Sequence, residues 1–547
     1  MPKRIRLTLL IGIITAGAVL RFSGAQFGLP HDHARPDEER ITDAALGVFQ
    51  GDLDPHFFLY PSLFIYLTAA GYALLFGVER VVGTTDTVRH FVAAATADPA
   101  VLHLVARGLA GAAGVATIAA LYAVGRELFS TRAALASAAF LAVAFLHVRD
   151  SHFGVTDVPV TLLTVCAFWA AARCLTRGAS LSRGSATGLL CGLAASTKYN
   201  AALIAVPALV AIADDTLRSH RSHLAAGRSV VVLVACLAAG FLVGTPFALL
   251  DRPAFLADLS TQRRIGLGLQ HGSILDPARQ VYGAPGWIHH ATFSLRYGLG
   301  LPLLIAALAG AGWLAIKRPR LAVLVLSFPV AFYAAMGVSQ LAYARWIVPI
   351  VPFLCLTAGV LVDRVSEAVE RVFGDARVAA VCAIVLVAGV AAPTAATSIA
   401  FDRLVARTDT RVLGAQWIQQ QFPGGTTLYQ TGTFYGHLQP RPAAPYTQYA
   451  FDEGHRGFVR DGQPGGALPE LVVVLDSPLV VFNHVPTELG SLLDAHYVLA
   501  AIFQGIATAA AGEAVYDQQD AFYVPFANLT TVKRPGPNVR IFKRRHD

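Results

Sequence analysis

Charge is scarce in this chain. Only 14% of its 547 residues are Asp, Glu, Lys or Arg, where a soluble globular chain carries roughly 25%. Hydrophobic residues make up 55%, and the mean hydropathy is +0.54. Water is therefore not the main solvent of this chain, and a prior of one domain per ~150 residues does not apply. Cysteine is few and confined: Cys166, Cys174, Cys191, Cys236, Cys355 and Cys382 all lie in apolar runs, none follows residue 382, and no CxxC pair occurs. This excludes a disulfide framework in the terminal region and reads the six thiols as buried and structural. The terminal region also lacks a nucleophile elbow, a glycine-rich phosphate loop and zinc-ligand spacing. The formal charge is +8, but the basic residues form short clusters between apolar runs. No single patch exists to bind nucleic acid.

What is present is a succession of apolar stretches, at 7–22, 101–124, 133–147, 158–176, 184–197, 199–214, 229–250, 298–316, 320–338, 346–362 and 377–398. They predict a polytopic α-helical membrane protein with about 11 to 13 spans. The first run follows Lys3, Arg4 and Arg6, as a signal peptide would. It is read as a retained span that anchors the polar segment after it.

The stretch 61–78 opens at Tyr60-Pro61 and ends at Glu79-Arg80, with Tyr66, Thr68 and Tyr72 between. Charge parity decides how it is read. If it does not cross, the basic short loops, with Arg126 and Arg132, Arg177 and Arg183, Arg218, Arg221 and Arg228, Lys317, Arg318 and Arg320, and Arg364, Arg371 and Arg377, all fall on the cytoplasmic side with the N-terminus. If it crosses, they face outward. The segment is therefore expected to be an amphipathic or re-entrant helix at the outer interface. It would lie in a first outer loop covering 23–100, with a second outer loop at 251–297. The expected domains are a transmembrane module, 1–400, and an extracytoplasmic domain, 401–547. This describes a multi-pass protein of the inner (plasma) membrane whose C-terminal domain is periplasmic or extracellular.

From Asp402 onward the composition turns soluble. Turns are expected at Pro423-Gly424-Gly425, Gln463-Pro464-Gly465-Gly466 and Arg534-Pro535-Gly536-Pro537. An amphipathic helix is expected over 411–422 and strands at 426–430, 471–475, 479–482 and 539–543, giving an α/β or α+β domain. It is expected to bind or position an acceptor.

Two acidic constellations flank the apolar runs. His31-Asp32-His33-Ala34-Arg35-Pro36-Asp37-Glu38-Glu39-Arg40 follows the first run, and Arg149-Asp150-Ser151-His152-Phe153-Gly154-Val155-Thr156-Asp157-Val158-Pro159 opens a later one. The plain reading is that their carboxylates cap helices or complement helix dipoles. Neither plain reading accounts for both constellations meeting one membrane face. Paired carboxylates there suit general-base catalysis, one taking a proton from an attacking hydroxyl and the other orienting an acceptor or a metal. Cations on the same face, Arg35, Lys198, Arg296 and Arg345, suit a phosphate leaving group. Taken singly, each is an ordinary side chain reaching from a helix end to the interface. His289-His290 is a weak metal or phosphate signal. If a divalent metal takes part, Asp37, Asp157, His289 and His290 are its candidate ligands; no cofactor is required by the sequence.

The order of Pro36-Asp37-Glu38, Thr156-Asp157-Val158-Pro159 and Ser196-Thr197-Lys198-Tyr199-Asn200 resembles that in bacterial GT-C membrane glycosyltransferases of the protein-mannosyltransferase and lipid A aminoarabinose-transferase type. The resemblance covers about residues 1–400. It implies that Asp37 is the catalytic base with Glu38 beside it, that Asp157 is the second acidic residue, and that Lys198, Tyr199, Tyr343 and Arg345 contact the carrier phosphate. It further implies transfer of a hexose or pentose from a polyprenyl-phosphate sugar to a hydroxyl of a lipid, glycan or protein, next to membrane lipids. There are departures. The Glu that aminoarabinose transferases carry before the proline of the juxtamembrane helix is absent from His56-Phe57-Phe58-Leu59-Tyr60-Pro61, and the terminal domain shows no MIR-type repeat. The alternative is a secondary transporter or lipid-linked-sugar flippase with a periplasmic accessory domain. It would be expected to show paired repeats and charges near the midplane, and the sequence shows neither.

Overall fold

The computed structural model of the protein describes residues 2–178, 180–218, 222–266, 286–339, 341–440, 446–460, 463–464, 468–507 and 512–545. Much of the expected 251–297 loop, Gly465, Gly466 and Arg221 lie outside them. Nine helices among the described residues are long and apolar enough to cross a membrane. They are Lys3–Phe22, Leu63–Val82, Ala100–Leu128, Asp157–Arg177, Tyr199–Arg218, His223–Gly244, Pro319–Gly337, Ala344–Phe373 and the helix that starts at Ala376. A tenth arises if Gly286–Leu299 and Leu301–Lys317, bent by 112° at the break, count as one span. The protein is a multi-pass membrane protein.

All eleven expected stretches are helical, but the count of full-length spans is lower. The stretches 133–147 and 184–197 correspond to Thr131–Val143 and Leu181–Ala195, of 13 and 15 residues. At 1.5 Å per residue these reach about 20 Å, short of the ~30 Å hydrocarbon layer. Leu181–Ala195 gains its place through close packing instead. A Cβ on Gly192 would sit 2.1 Å from the Leu237 carbonyl oxygen, and one on Gly240 would sit 2.4 Å from that of Leu189. Only glycine lets these two backbones touch.

Helix Leu63–Val82 passes the length test for a span, yet its contacts gather at one end of the bundle. The Leu63 N–H donates to the Ser196 carbonyl at 3.0 Å and the Ser62 N–H to Thr245 Oγ1 at 3.2 Å. Midway, the Tyr72 hydroxyl donates to the Leu102 carbonyl, in the first turn of Ala100–Leu128. Phe76 packs on Phe49 and Phe91, from the short helices Glu38–Phe49 and Val88–Ala97.

Helix Ala376–Val405 runs on through residue 400 into the terminal domain. That domain carries a mixed seven-stranded sheet: β1 (Thr427–Gln430), β2 (Thr447–Asp452), β3 (Gly457–Arg460), β4 (Gln463–Pro464), β5 (Leu471–Asp476), β6 (Tyr497–Phe503) and β7 (Asn538–Arg544). The order is β4-β3-β2-β1-β5-β7-β6, with β1 parallel to both β2 and β5 and every other pair antiparallel. Helix Thr410–Gln421 packs against it, capped by Asp409, which accepts from the Arg411 N–H at 2.8 Å. The expected strand 479–482 is a turn. Its apolar Leu479 and Phe482 are buried within the core shared with the membrane body, so burial there reflects docking and not a sheet.

Docking is extensive around residues 515–526. Tyr516, Ala521, Phe522, Tyr523, Val524 and Phe526 are buried in the same core as the transmembrane helices. Phe522 packs edge-on against Phe27 and Phe153.

Candidate active site

A cavity of about 680 Å³ opens at the end of the bundle where the terminal domain docks, a size suited to a small-molecule substrate. Asp37, Glu39 and Arg40 line it from the segment after the first helix, and His56, Phe57, Leu59, Tyr60 and Pro61 from the loop before Leu63–Val82. Lys198, Tyr199 and Asn200 line it from a turn, Asp258 and Gln262 from helix Arg252–Gly266, and Tyr343, Arg345 and Trp346 from the start of a late helix. Tyr435 reaches in from the terminal domain.

Asp37 precedes helix Glu38–Phe49 with φ 73°, in the left-handed region, which Asp tolerates at a cost of about 1–2 kcal/mol. Its side chain makes no capping hydrogen bond, so the plain capping role fails here. Instead the carboxylate meets Arg345 Nη2 at 2.6 Å and accepts from the Tyr60 hydroxyl at 3.1 Å, both on Oδ2. It retains 27% exposure. Burial pushes this carboxyl up, but Arg345 and Arg35 outweigh it and hold it below the ordinary value. Burial, and Asp37 beside it, raise Tyr60 well above the ordinary phenol range, so Tyr60 stays protonated as a donor.

Asp157 is the first residue of its helix, and Thr156, not Asp157, occupies the capping position. Lys198 Nζ donates to its Oδ1 at 2.5 Å, and Asp157 is only 2% exposed behind that lysine. Tyr199 donates its hydroxyl to the Phe58 carbonyl at 2.7 Å, and Asp258 accepts from the Phe58 N–H at 2.7 Å, which together fix the loop carrying Tyr60.

Several expected site residues are placed elsewhere. Glu38 is 1% exposed and committed: it accepts from Arg107 at 2.6, 3.0 and 3.2 Å and from the Gly154 N–H at 2.7 Å. Burial pushes it up, and Arg107 holds it below the ordinary carboxylate value. It ties the two acidic constellations together and does not line the cavity. Arg35 is fully buried against Asp520 at 2.6 Å. Arg296 is exposed beside Tyr297, and His289-His290 pack around Phe293 and Ser294. The expected metal set is therefore not assembled. Among the described residues the single group of three with metal-capable atoms close together is Asp54, His56 and Asp251.

Nothing in the sequence marks Tyr60, which reads as part of an apolar loop, nor singles out the terminal-domain residues that reach the site. Behind Asp37, Arg149 meets Asp150 at 3.2 Å and Asp520 at 3.8 Å. Asp517 accepts from the Ala344 N–H at 3.0 Å and Gln519 from the Ala342 N–H at 2.6 Å, so the loop holds the Tyr343-Arg345 segment. Burial, then Asp520, push Asp517 up to about 6; burial pushes Asp520 up too, but Arg35, Arg345 and Arg149 hold it below the ordinary value.

A transmembrane bundle with a charged cavity beside a docked C-terminal sheet domain is the fold of the GT-C superfamily of membrane glycosyltransferases. Residues 101–241, which include Asp157 and Lys198, match a family model described as dolichyl-phosphate-mannose-protein mannosyltransferase. ArnT from Cupriavidus metallidurans bound to undecaprenyl phosphate superposes with a TM-score of 0.52 at 16% identity, covering 99% of this chain and 98% of that one. The oligosaccharyltransferase AglB from Archaeoglobus fulgidus, in complex with an inhibitory peptide and a dolichol-phosphate, gives a TM-score of 0.51 at 13% identity and covers 81% of this chain. The present chain spans 64% of the length of AglB. No curated protein matches the sequence.

Proposed function

We propose that the protein is an inverting glycosyltransferase that moves a sugar from a polyprenyl-phosphate donor to a hydroxyl of a lipid, glycan or protein. Asp37 carries the reading: a carboxylate aimed into the cavity, free of capping duty, with Lys198, Arg345 and Arg40 sharing that cavity. An acceptor hydroxyl oxygen attacks the anomeric carbon from the face opposite the phosphate. The new C–O bond forms as the bond from C1 to the phosphate oxygen breaks, its electron pair leaving on polyprenyl phosphate. Asp37 takes the hydroxyl proton, and Lys198 and Arg345 stabilise the charge on the departing phosphate. The buried Nη1 of Arg345 has no hydrogen-bond partner among the described residues, which suits a phosphate oxygen. A parallel likeness is that ArnT was solved with undecaprenyl phosphate and AglB with dolichol-phosphate.

The same proposal places the cavity and terminal domain at the outer face, with Leu63–Val82 lying along the membrane surface. Charge parity supports this, and so do the contacts of that helix at one end of the bundle. A transporter would use broken helices to line its path, but the sharply bent pair at Gly300 contributes nothing to the cavity.

The test is transfer from a panel of radiolabelled polyprenyl-phosphate sugars, with and without EDTA. Asp37→Asn is expected to lower kcat by about 10²- to 10⁴-fold while the protein purifies as wild type does. Full activity in that variant would sink the mechanism.

A further inference from the structure

We infer that Asp520 of the terminal domain is a positioning residue for this transfer, holding Arg35 so that it does not capture the Asp37 carboxylate. The inference rests on the proposed function of the cavity. Three guanidiniums act on Asp520, those of Arg35, Arg345 and Arg149, and two of them, Arg345 and Arg35, also act on Asp37. Arg35 is 0% exposed, its Nη1 bonds Asp520 Oδ1 at 2.6 Å, and its Nε and Nη2 have no hydrogen-bond partner among the described residues. Its other neighbours are the rings of Phe153 and Phe522, at 4.6 and 5.6 Å. Among the described residues Asp520 is thus its sole carboxylate partner by contact, while Asp37 and Asp150 feel its charge.

A buried cation that loses its counter-ion seeks another, because an uncompensated charge away from water is costly. Without the Asp520 charge, Asp37 and Asp150 are the carboxylates that still feel Arg35, and Asp150 already pairs with Arg149 at 3.2 Å. A base held by two guanidiniums instead of one accepts a proton less readily. The carboxylate that prevents this lies 485 positions away in sequence, on the loop whose Asp517 and Gln519 also hold the Tyr343-Arg345 segment. The membrane body alone does not contain a finished site.

The charge-balance role differs in sign from simple support. Asp520→Asn, in the full chain, is expected to lower kcat per folded enzyme at least tenfold. Binding of undecaprenyl phosphate should be unchanged or tighter, since removing a carboxylate from a cationic site favours an anion. Asp520→Asn combined with Arg35→Gln is expected to regain most of the lost kcat, because no stray guanidinium then remains.

Wild-type kcat in the single variant would overturn the inference, as would weaker undecaprenyl phosphate binding or a double variant no better than the single one. If Asp520→Asn alone does not fold, the double variant decides: folded and active supports the role, while folded and inactive, or unfolded, overturns it. Asp37→Asn, run alongside, separates the two readings. Activity there removes the catalytic assignment itself, whereas a dead Asp37→Asn with a normal Asp520→Asn removes only the positioning role.

Discussion

At the scale of single residues, the cavity is organised by one carboxylate and the cation beside it. Arg345 pairs with Asp37 in the cavity, and a donor phosphate would compete for the same guanidinium. Arg345→Gln is expected to raise the donor KM by roughly tenfold or more, the scale of a lost charge-assisted hydrogen bond of about 1.5–3 kcal/mol. An unchanged KM would remove Arg345 from the phosphate site. Glu38 offers a contrast, since its partners are Arg107 and a backbone N–H. Glu38→Gln leaves Arg107 buried without its counter-ion, and a loss of about 3–5 kcal/mol in stability is expected, read by thermal unfolding in detergent. A variant that melts as wild type does but loses transfer would instead put Glu38 in the chemistry. Asp37, Asp157, Lys198 and Arg345 were legible because charged residues at the edges of apolar runs stand out. Tyr60 and Asp520 were not, because nothing local marks a tyrosine that meets Asp37 across 23 positions or an aspartate that meets Arg35 from another domain.

At the scale of elements, hydropathy located the apolar helices, but it left Val88–Ala97 and Arg252–Gly266 unmarked and did not show which apolar helices are too short to span. Thr131–Val143 and Leu181–Ala195 are apolar and short, and composition alone does not separate a short helix held by neighbours from a full span. Leu181–Ala195 depends on its glycine seam with His223–Gly244. Gly192→Val must push these backbones apart, and a cost of about 1–3 kcal/mol is expected, seen as a lower melting temperature. A variant as stable as wild type would show that the seam yields freely. The strand pattern failed at 479–482 for a related reason. An apolar run signals burial, and here what buries it is the membrane body and not a sheet.

At the scale of the whole molecule, the membrane body and the terminal domain share one core through residues 515–526. Phe522→Ala removes a ring that touches Phe27, Phe153 and the faces toward Arg35 and Arg149. An expected loss of about 3–5 kcal/mol should divide a single thermal transition into two as the domain undocks. A single transition at the wild-type temperature would show that docking does not depend on this ring. The orientation is testable separately. With the six native cysteines replaced, Asp494→Cys on the exposed helix Leu489–His496 should react with a membrane-impermeant maleimide in intact spheroplasts. Reaction only after lysis would reverse the proposed topology and move the cavity to the cytoplasmic face.

The docked loop also has a consequence for synthesis. A ribosome delivers Arg35 and Arg149 to the membrane hundreds of residues before it delivers Asp520. Throughout that interval Arg35 lacks the carboxylate it contacts in the finished protein, and on the positioning role proposed for Asp520 the Asp37 carboxylate is left open to it. On that proposal, assembly of the chain and activation of the pocket finish in the same event, the arrival of a loop made after every membrane helix is already in place. On that proposal, a chain interrupted before that loop would hold the cavity's membrane-borne residues and still be switched off.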